Sequence, residues 1–328
     1  MNEQIVVKSY PTGWLQETDF EYQQNPVPSP KTGEVLIKNN FLSLDPYMRG
    51  RLSPSKSYAK SAELGEVMVG SCTGQVIESK SEKFKVGDIV LSGLGWQTHG
   101  VCNERDIKRI DTTKIPEHAY LGVLGMPGVT AWTGLIDICE PKRGETVVVD
   151  AASGAVGSVV GQLALARGCK VVGIAGGVEK CNYVVKELGF NTCLDHRASD
   201  FKDQLKAALP NGIDCLFENV GGEILENLLL LMNPFSRIAL CGLVSEYNVN
   251  PYGNRSLRSI LINRIKFEGF IVTDKPDTWP AIIEELKRAY LDGLLKYKLS
   301  QVEGIKNAPT ALIGLLKGEN FGKQVVKL

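Results

Sequence analysis

Small residues separate two apolar runs in the stretch VVVDAASGAVGSVVGQLALARG, residues 147–168. The first run predicts a buried strand, and the second has the spacing of a helix that begins near Ala155. Backbone N–H groups at a helix start, together with the helix dipole, favour a phosphate. Gly154 leaves room for a pyrophosphate, and Gly157 and Ser158 let the helix pack closely on the strand. The spacing therefore predicts a dinucleotide site, and a glycine-rich packing turn is the alternative.

The next strand along the chain, KVVGIA, ends in Ala175 and continues into Gly176 and a second glycine. NAD sites usually place an acidic residue at this strand end, where it binds the ribose 2′-hydroxyl. Here the strand end is neutral and roomy, and Lys180 follows as a cation for the 2′-phosphate of NADP. An exposed helix lysine is the alternative for Lys180. His196, which ends the third strand, is a second candidate for the same phosphate, so the sequence favours NADPH over NADH.

Strand-like and helix-like runs alternate from about residue 117 onwards, which predicts a doubly wound parallel sheet with both faces covered. The first third is β-rich, and the tail returns to it with a short helix and a final strand. We expect a β-rich substrate domain over 1–120 and 297–328 and a nucleotide-binding domain over 121–296. Helical spacing is seen or expected over 119–138, 155–168, 179–188, 200–209, 222–232, 256–264 and 279–292.

Composition and charge limit the classes of protein. A chain of 328 residues suits two domains, and 43% apolar with 23% charged residues is typical of globular proteins. Lys and Arg number 37, as do Asp and Glu, so nothing favours a nucleic-acid partner. No apolar run approaches the roughly 20 residues of a membrane span. The N-terminus is too polar for a signal peptide, so we expect a cytoplasmic protein.

Cysteine and histidine spacing does not favour a metal site. The sequence has eight cysteines, none in a Cys-x-x-Cys pair, and three histidines that lack ligand spacing. Buried thiols are the expectation for most of the cysteines, and we expect no bound metal.

Six separated motifs resemble the zinc-free prostaglandin reductase/leukotriene dehydrogenase family of the medium-chain dehydrogenase/reductase superfamily, especially its bacterial NADPH-dependent curcumin reductase branch. The resemblance runs from about residue 5 to the end of the chain. The motifs are LSLDPYMRGR (42–51), GVLGMPGVTAW (122–132), AASGAVGSVVGQ (151–162), FENVGG (217–222), CGLVSEYN (241–248) and GLLKGENFGKQVV (314–326).

The resemblance implies an α/β protein with a GroES-like catalytic domain and a Rossmann domain that binds NADPH. It implies hydride transfer to the β-carbon of an α,β-unsaturated ketone or aldehyde, followed by protonation of the enolate at the α-carbon. A quinone oxidoreductase on the same fold and a non-enzymatic NADPH-binding protein are the alternatives. The resemblance also implies a homodimer in which the edges formed by the sixth strand, KFEGFIV, pair across a twofold axis.

Cofactor contacts carried over from the resemblance lie in the loops that follow the strands and in the tail. Thr130, at the start of the PGVTAW helix, is a further phosphate or ribose donor. The carried-over contacts are Gly154, Ala155, Val156, Gly157 and Ser158 at the pyrophosphate, Gly176, Lys180 and His196 near the 2′-phosphate, Asn219 along the dinucleotide, Cys241, Gly242, Leu243, Val244, Ser245 and Tyr247 at the ribose and nicotinamide, and Phe270, Ile271, Val272 and Asn320 around the nicotinamide.

Three tyrosines are candidate donors to the developing enolate oxygen. Tyr247 follows the fifth strand, at the carboxyl edge where such sheets bind ligands. A phenol, with a pKa of about 10, stays protonated at neutral pH and can donate directly or through the ribose 2′-hydroxyl. Tyr47 is the second candidate and is expected to face the cleft, and Tyr58 on a polar loop is the third. A surface-loop tyrosine is the alternative for Tyr247, and a packing aromatic is the alternative for Tyr47.

The sequence departs from its relatives at three places. Zinc alcohol dehydrogenases carry a Gly-His-Glu ligand motif where this chain has LGEVMVG, with Glu66 and no histidine. Mammalian relatives tend to have tyrosine where this chain has His196. The segment 249–259 contains fewer glycine and proline residues than the same segment of close relatives, and we expect it to border the substrate.

Overall fold

The computed structural model describes residues 1–249 and 257–328. The described chain forms two compact units, Met1–Leu121 with Leu299–Leu328, and Gly122–Lys298. The strands are β1 (Asn2–Val7), β2 (Phe20–Asn25), β3 (Glu34–Ser43), β4 (Cys72–Ser79), β5 (Ile89–Ser92), β6 (His99–Asn103), β7 (Lys108–Arg109), β8 (Thr146–Val149), β9 (Lys170–Ala175), β10 (Thr192–Asp195), β11 (Ile213–Glu218), β12 (Met232–Leu240), β13 (Lys266–Gly269), β14 (Leu299–Glu303) and β15 (Lys323–Lys327).

The α-helices are α1 (Tyr47–Arg51), α2 (Met126–Trp132), α3 (Gly157–Ala166), α4 (Val178–Lys186), α5 (Phe201–Ala208), α6 (Gly222–Leu229), α7 (Leu257–Asn263), α8 (Trp279–Leu291) and α9 (Ala308–Leu316). Short 3-10 helices span Glu17–Asp19, Glu117–Leu121, Val244–Glu246, Val272–Asp274, Pro276–Thr278 and Ile305–Asn307, and a π-helix spans Thr133–Cys139. Among the described residues, no helix is long and apolar enough to cross a membrane.

The second unit is built on a six-stranded sheet in the order β10-β9-β8-β11-β12-β13. Every neighbouring pair in it is parallel. Strand β8 is completely buried, as expected for a sheet covered on both faces. The predicted doubly wound sheet is confirmed. The strand order reverses at β8 and β11, and open sheets of this kind bind ligands outside the carboxyl ends of the strands at that point.

The helix after β8 begins at Gly157, slightly later than the predicted start near Ala155. The chain first passes through Ala151, which has the left-handed φ of +44°, and a turn that continues to Val156. Gly157 is required by close packing, because a Cβ there would lie 2.5 Å from the Ala151 carbonyl oxygen. The remaining predicted helices of this unit appear with slightly shorter bounds. The helix predicted over 256–264 is described as α7, and residues 250–256 lie outside the described residues.

The helix expected over 119–138 is divided into a 3-10 turn, α2 and the π-helix. Pro127 stands in the first turn of α2, where its missing N–H costs nothing. Thr130 is therefore not at a helix start, which corrects the prediction. It lies one turn after Met126, and its hydroxyl donates to the Met126 carbonyl at 2.7 Å.

The first unit contains a seven-stranded sheet in the order β14-β15-β3-β4-β5-β7, with β6 also paired to β3. The last strand of the chain, β15, runs parallel to β14 and antiparallel to β3. Val35, Ile37, Val76 and Val90 form part of the core on this sheet. Strands β1 and β2 form a separate antiparallel pair.

A buried ion pair joins β15 to the end of β3. The side chains of Lys323 and Asp45 are only 2% and 7% exposed, and Lys323 Nζ lies 2.5 Å from Asp45 Oδ1. The ammonium also donates to the Leu44 carbonyl at 2.9 Å, and the Ser43 hydroxyl donates to Asp45. Burial lowers the pKa of Lys323, and Asp45 opposes this shift. The pair lies just before α1, whose first residue is Tyr47.

Candidate functional site

The turn between β8 and α3 presents backbone donors at the carboxyl edge of the sheet. The Ser158 N–H donates to the Gly154 carbonyl at 3.1 Å. For the N–H groups of Ala155, Val156 and Gly157, no acceptor occurs among the described residues. Three amides at a helix N-terminus suit a phosphate group. The turn therefore fits the pyrophosphate of a dinucleotide.

Cationic side chains lie close to the end of β9. A Cβ on Gly176 would lie 2.9 Å from His196 Nε2 and 3.1 Å from Arg197 Nε, so both side chains approach this glycine. Lys180, in the first turn of α4, has a pKa lowered by burial and by the nearby charge of Arg197. Burial also lowers the pKa of His196, and Arg197 adds to this effect. These groups form a cluster, Lys180, His196 and Arg197, whose chemistry suits a phosphate dianion.

Arg197 and Asp195 belong to this site, and sequence reasoning missed both. Asp195 ends β10 and pairs in register with Ala175, the last residue of β9. Its Oδ1 accepts the N–H groups of Gly177 at 2.8 Å and Arg197 at 3.0 Å. Burial opposes the ionised form, but these two hydrogen bonds and the nearby cations lower the pKa of Asp195. The Asp195 carboxylate therefore links the backbone after β9, at Gly177, to the backbone after β10, at Arg197.

A third segment of the edge combines the turn after β11 with the loop after β12. The Val244 N–H donates to the Asn219 carbonyl at 3.1 Å, and the Ser245 N–H donates to the Val220 carbonyl at 3.0 Å. A Cβ on Gly242 would lie 3.2 Å from the hydroxyl oxygen of Tyr247. The Tyr247 hydroxyl is therefore directed back toward the sheet edge.

Two carboxyl groups lie beneath this turn and are completely buried, Asp150 directly after β8 and Glu218 at the end of β11. Asp150 Oδ1 accepts the Asn219 N–H at 2.7 Å. The Val220 N–H lies 3.2 Å from Asp150 Oδ2 and 2.8 Å from Glu218 Oε1. Glu218 Oε1 also accepts the Gly221 N–H at 2.6 Å. Sequence reasoning assigned neither carboxyl group to the site, since their proximity depends on the pairing of β8 with β11.

The remaining predicted contacts of the second unit lie in these same loops. Phe270 follows β13, and its ring packs edge-on against Phe217 with centroids 6.3 Å apart. Ile271 and Val272 lead into a 3-10 turn. Burial, Asp150 and Glu218 raise the pKa of the Cys241 thiol to about 12.

The first unit holds Tyr47, Tyr58 and Asn320. Burial and the neighbouring Asp45 raise the pKa of Tyr47, so its hydroxyl stays protonated at neutral pH. Tyr58 is exposed and close enough to add to that shift. The Asn320 side-chain amide donates to the Gly322 carbonyl at 2.8 Å. Tyr47 can therefore donate a hydrogen bond, and its hydroxyl is not ionised at neutral pH.

The residues that the structure describes offer no candidate metal site. Among these, no three His, Cys, Asp or Glu side chains form a group that could hold a metal ion. The eight cysteines are all free thiols, and most are buried.

Comparisons with known proteins cover both units. Residues 3–110 match the family model described as N-terminal domain of oxidoreductase, and residues 155–288 match the model described as zinc-binding dehydrogenase. The chain is 43% identical to NADPH-dependent curcumin reductase of Escherichia coli, over 100% of this chain and 97% of that protein. It is 40% identical to prostaglandin reductase 1 of Rattus norvegicus, over 98% of this chain and 97% of that protein.

Among solved structures, the chain is similar to CurA from Vibrio vulnificus in complex with NADPH. The TM-score is 0.95 with 44% sequence identity, over 99% of this chain and 98% of that chain. Identity at this level over whole chains agrees with the six motifs and with the two-unit architecture. The chain belongs to the medium-chain dehydrogenase/reductase superfamily, in the family of the curcumin and prostaglandin reductases.

Proposed function

We propose that this chain is an NADPH-dependent reductase of the carbon–carbon double bond of α,β-unsaturated ketones and aldehydes. The observation that carries the proposal is whole-length similarity to NADPH-dependent curcumin reductase, combined with a sheet edge whose donors suit NADPH. A relative at 39% identity is named 2-alkenal reductase (NADP(+)-dependent) and supports the same substrate class. The physiological substrate is an enone or enal small enough to reach the nicotinamide.

The second unit, with proposed bounds near 121–296, is the nucleotide-binding domain in this proposal. The N–H groups of Ala155, Val156 and Gly157 bind the pyrophosphate, and the cluster of Lys180, His196 and Arg197 binds the 2′-phosphate. Asn219, the loop from Cys241 to Tyr247, and Phe270 to Val272 border the ribose and nicotinamide, while Gly154, Ser158, Gly176 and Thr130 shape the pocket. On the family resemblance alone, Tyr47 and Asn320 of the first unit, near 1–120 and 297–328, are proposed as further contacts.

Bound NADPH supplies the hydride that reaches the β-carbon of the substrate. The carbonyl oxygen then gains negative charge as the double bond shifts to the enolate. The Tyr247 hydroxyl donates a hydrogen bond to that oxygen, directly or through the ribose 2′-hydroxyl that it orients. A proton from solvent or from a bound hydroxyl then adds to the α-carbon, and the saturated carbonyl compound leaves. Tyr47, which stays protonated, is the second donor.

The test is NADPH oxidation by the purified protein with an enone, an enal, a quinone or no acceptor. We expect turnover with the enone and enal, and deuterium from labelled NADPH at the β-carbon. Turnover with the quinone alone would favour a quinone oxidoreductase. Tight NADPH binding without any turnover would favour a non-enzymatic NADPH-binding protein.

We also propose that the reaction needs no zinc, although one matching family model carries zinc in its description. Glu66 lies in a segment that lacks histidine, and hydride transfer to an activated alkene proceeds without a Lewis acid when a donor meets the oxyanion. A chelator should leave turnover unchanged. Stoichiometric zinc in the active protein would contradict this proposal.

A homodimer is proposed because β13 forms an edge of the six-stranded sheet in the described chain. On α7, next to it in sequence, Leu257 and Leu261 are 69% and 77% exposed. A second copy of the chain would cover both the open edge and these side chains. Light scattering at micromolar concentration should give twice the chain mass, and Leu261→Lys should give a monomer. Leu294→Lys, at another exposed leucine, is the matched control, and a monomeric wild type would refute the proposal.

The cytoplasm is the proposed location. Eight free thiols, most of them buried, are consistent with a reducing compartment. Cell fractionation tests this, and recovery with secreted protein would contradict it.

A further inference from the structure

Glu218 ends β11, and Asp150 directly follows the last residue of the neighbouring parallel strand β8. Both carboxyl groups are completely buried and both approach the same Val220 N–H, at 3.2 and 2.8 Å. Among the described residues, no ion pair includes either of them. Two adjacent carboxylates in a dry interior repel each other and lose their hydration, so the state with both ionised is strongly disfavoured.

The hydrogen bonds leave one position for a proton. Glu218 Oε1 accepts two N–H groups, whereas the buried Glu218 Oε2 has no hydrogen-bond partner in the described part of the chain. A proton shared by the two carboxyl groups supplies a donor to the pair, which otherwise contains only acceptors. In agreement, burial and the neighbouring Glu218 raise the pKa of Asp150 well above its usual value.

Other titratable groups near the pair do not supply a positive charge. Cys241, after β12, is a thiol with a pKa of about 12 and is neutral at ordinary pH. Glu246, in the loop after β12, accepts the Gly222 N–H through Oε1 at 3.3 Å. Neither can compensate a second negative charge on the two carboxyl groups.

We propose that Asp150 and Glu218 share one proton and act as positioning residues for the turn Asn219–Gly222 that borders the dinucleotide. The inference rests on the proposed function and adds to it a way in which pH acts on cofactor binding. The pair fixes the N–H groups of the turn, and the turn carbonyls of Asn219 and Val220 in turn fix the loop that carries Tyr247.

Loss of the shared proton at alkaline pH places two negative charges under the turn. The shared proton contributes fully to stability below the unfolded-state pKa. This contribution is lost as pH rises through the folded-state pKa. NADPH affinity should fall at higher pH than stability does, because the folded protein itself loses the proton only above the folded-state pKa. The dissociation constant should rise by a factor that approaches about ten for each pH unit above the folded-state pKa, because one proton is linked to the competent state.

Two variants replace the shared proton with an amide. In Asp150→Asn, Oδ1 still accepts the Asn219 N–H and the new NH2 group donates to Glu218. Glu218→Gln is the mirror change, with its NH2 group at the position of Oε2. Asp214→Asn is the matched control, because Asp214 Oδ2 also accepts a backbone N–H of this sheet, that of Thr146 at 2.8 Å, and Asp214 lies near the opposite end of β11 from Glu218.

The experiment measures the melting temperature of the cofactor-free protein and the NADPH dissociation constant from about pH 6 to about pH 10. We expect the wild type and Asp214→Asn to lose melting temperature and affinity with rising pH, and both amide variants to have flatter profiles. Slopes in both amide variants equal to that of the wild type would overturn the shared proton. Flattened melting profiles with unchanged pH dependence of NADPH binding would overturn the positioning role. Flattened melting profiles in a protein that binds no NADPH at any pH would refute the proposed function and leave the shared proton supported.

Discussion

Substitution of Lys180 by methionine tests how the chain distinguishes NADPH from NADH. Methionine has a similar length and apolar stem, so the change removes the positive charge with little loss of packing. Lys180 lies in the first turn of α4 and forms a cluster with His196 and Arg197. NADH lacks the 2′-phosphate, so its binding should not depend on this charge.

The expected magnitude follows from the environment of Lys180. A hydrogen bond between charged groups contributes about 1.5–3 kcal/mol. Lys180 is only partly buried and Arg197 remains in the variant, so the lower end of that range applies. A loss of about 1.5 kcal/mol corresponds to roughly a tenfold rise in the NADPH dissociation constant. Removal of Arg197 as well should weaken NADPH binding further.

The assay is titration of the protein with NADPH and NADH, followed by protein fluorescence or calorimetry. Lys186→Met, at the other end of α4, is the matched control and should leave both dissociation constants unchanged. An equal loss of affinity for NADPH and NADH would show that Lys180 acts on the fold or on another part of the dinucleotide. It would remove the 2′-phosphate assignment.

Three further substitutions test other parts of the molecule. If the Tyr247 hydroxyl donates directly, Tyr247→Phe should lower turnover by about 10²–10³-fold and leave NADPH affinity unchanged. If the hydroxyl orients the ribose, turnover should fall by about tenfold and cofactor binding should weaken. Wild-type turnover and wild-type affinity together would show that Tyr247 has no role in the reaction. Lys323→Met leaves the buried Asp45 without its cation and should cost about 3–5 kcal/mol in thermal unfolding, partly recovered by adding Asp45→Asn; an unchanged melting temperature would contradict this. Gly157→Ala should destabilise the protein by about 1–3 kcal/mol and weaken NADPH binding, because the alanine Cβ would lie 2.5 Å from a backbone oxygen. Normal NADPH binding in a titration would refute a role of Gly157 in shaping the cofactor turn.

The parallel sheet and the glycine-containing turn after β8 were predictable because their signals are local. Buried strands appear as short apolar runs, and the glycines of the turn, Gly154 and Gly157, lie close together in sequence. The helix begins slightly later than predicted because the left-handed backbone of Ala151 is not a feature that residue preference indicates. The expected helix over 119–138 is interrupted before Met126, where Gly128 approaches the backbone of Val123 closely. A Cβ on Gly128 would lie 1.9 Å from the Val123 carbonyl oxygen.

Contacts that depend on strand pairing could not be predicted. Asp195 reaches the end of β9 only because it pairs in register with Ala175. Asp150 and Glu218 meet because β8 and β11 are neighbours, although a long stretch of chain separates them. The ion pair of Asp45 and Lys323 joins residues that are 278 positions apart. One sequence without an alignment carries no signal for such pairs.

The place of β15 between β14 and β3 has a consequence for synthesis on the ribosome. The first unit combines two segments that are far apart in the chain, so its larger sheet stays incomplete until β15 emerges. During translation, the edge of β3 that later pairs with Val325 and Val326 has no partner strand, and Asp45 lacks the ammonium group of Lys323. The second unit is continuous in sequence and has all its strands earlier. A released chain that is truncated after Lys298 should therefore contain a protease-resistant second unit and a protease-sensitive first unit.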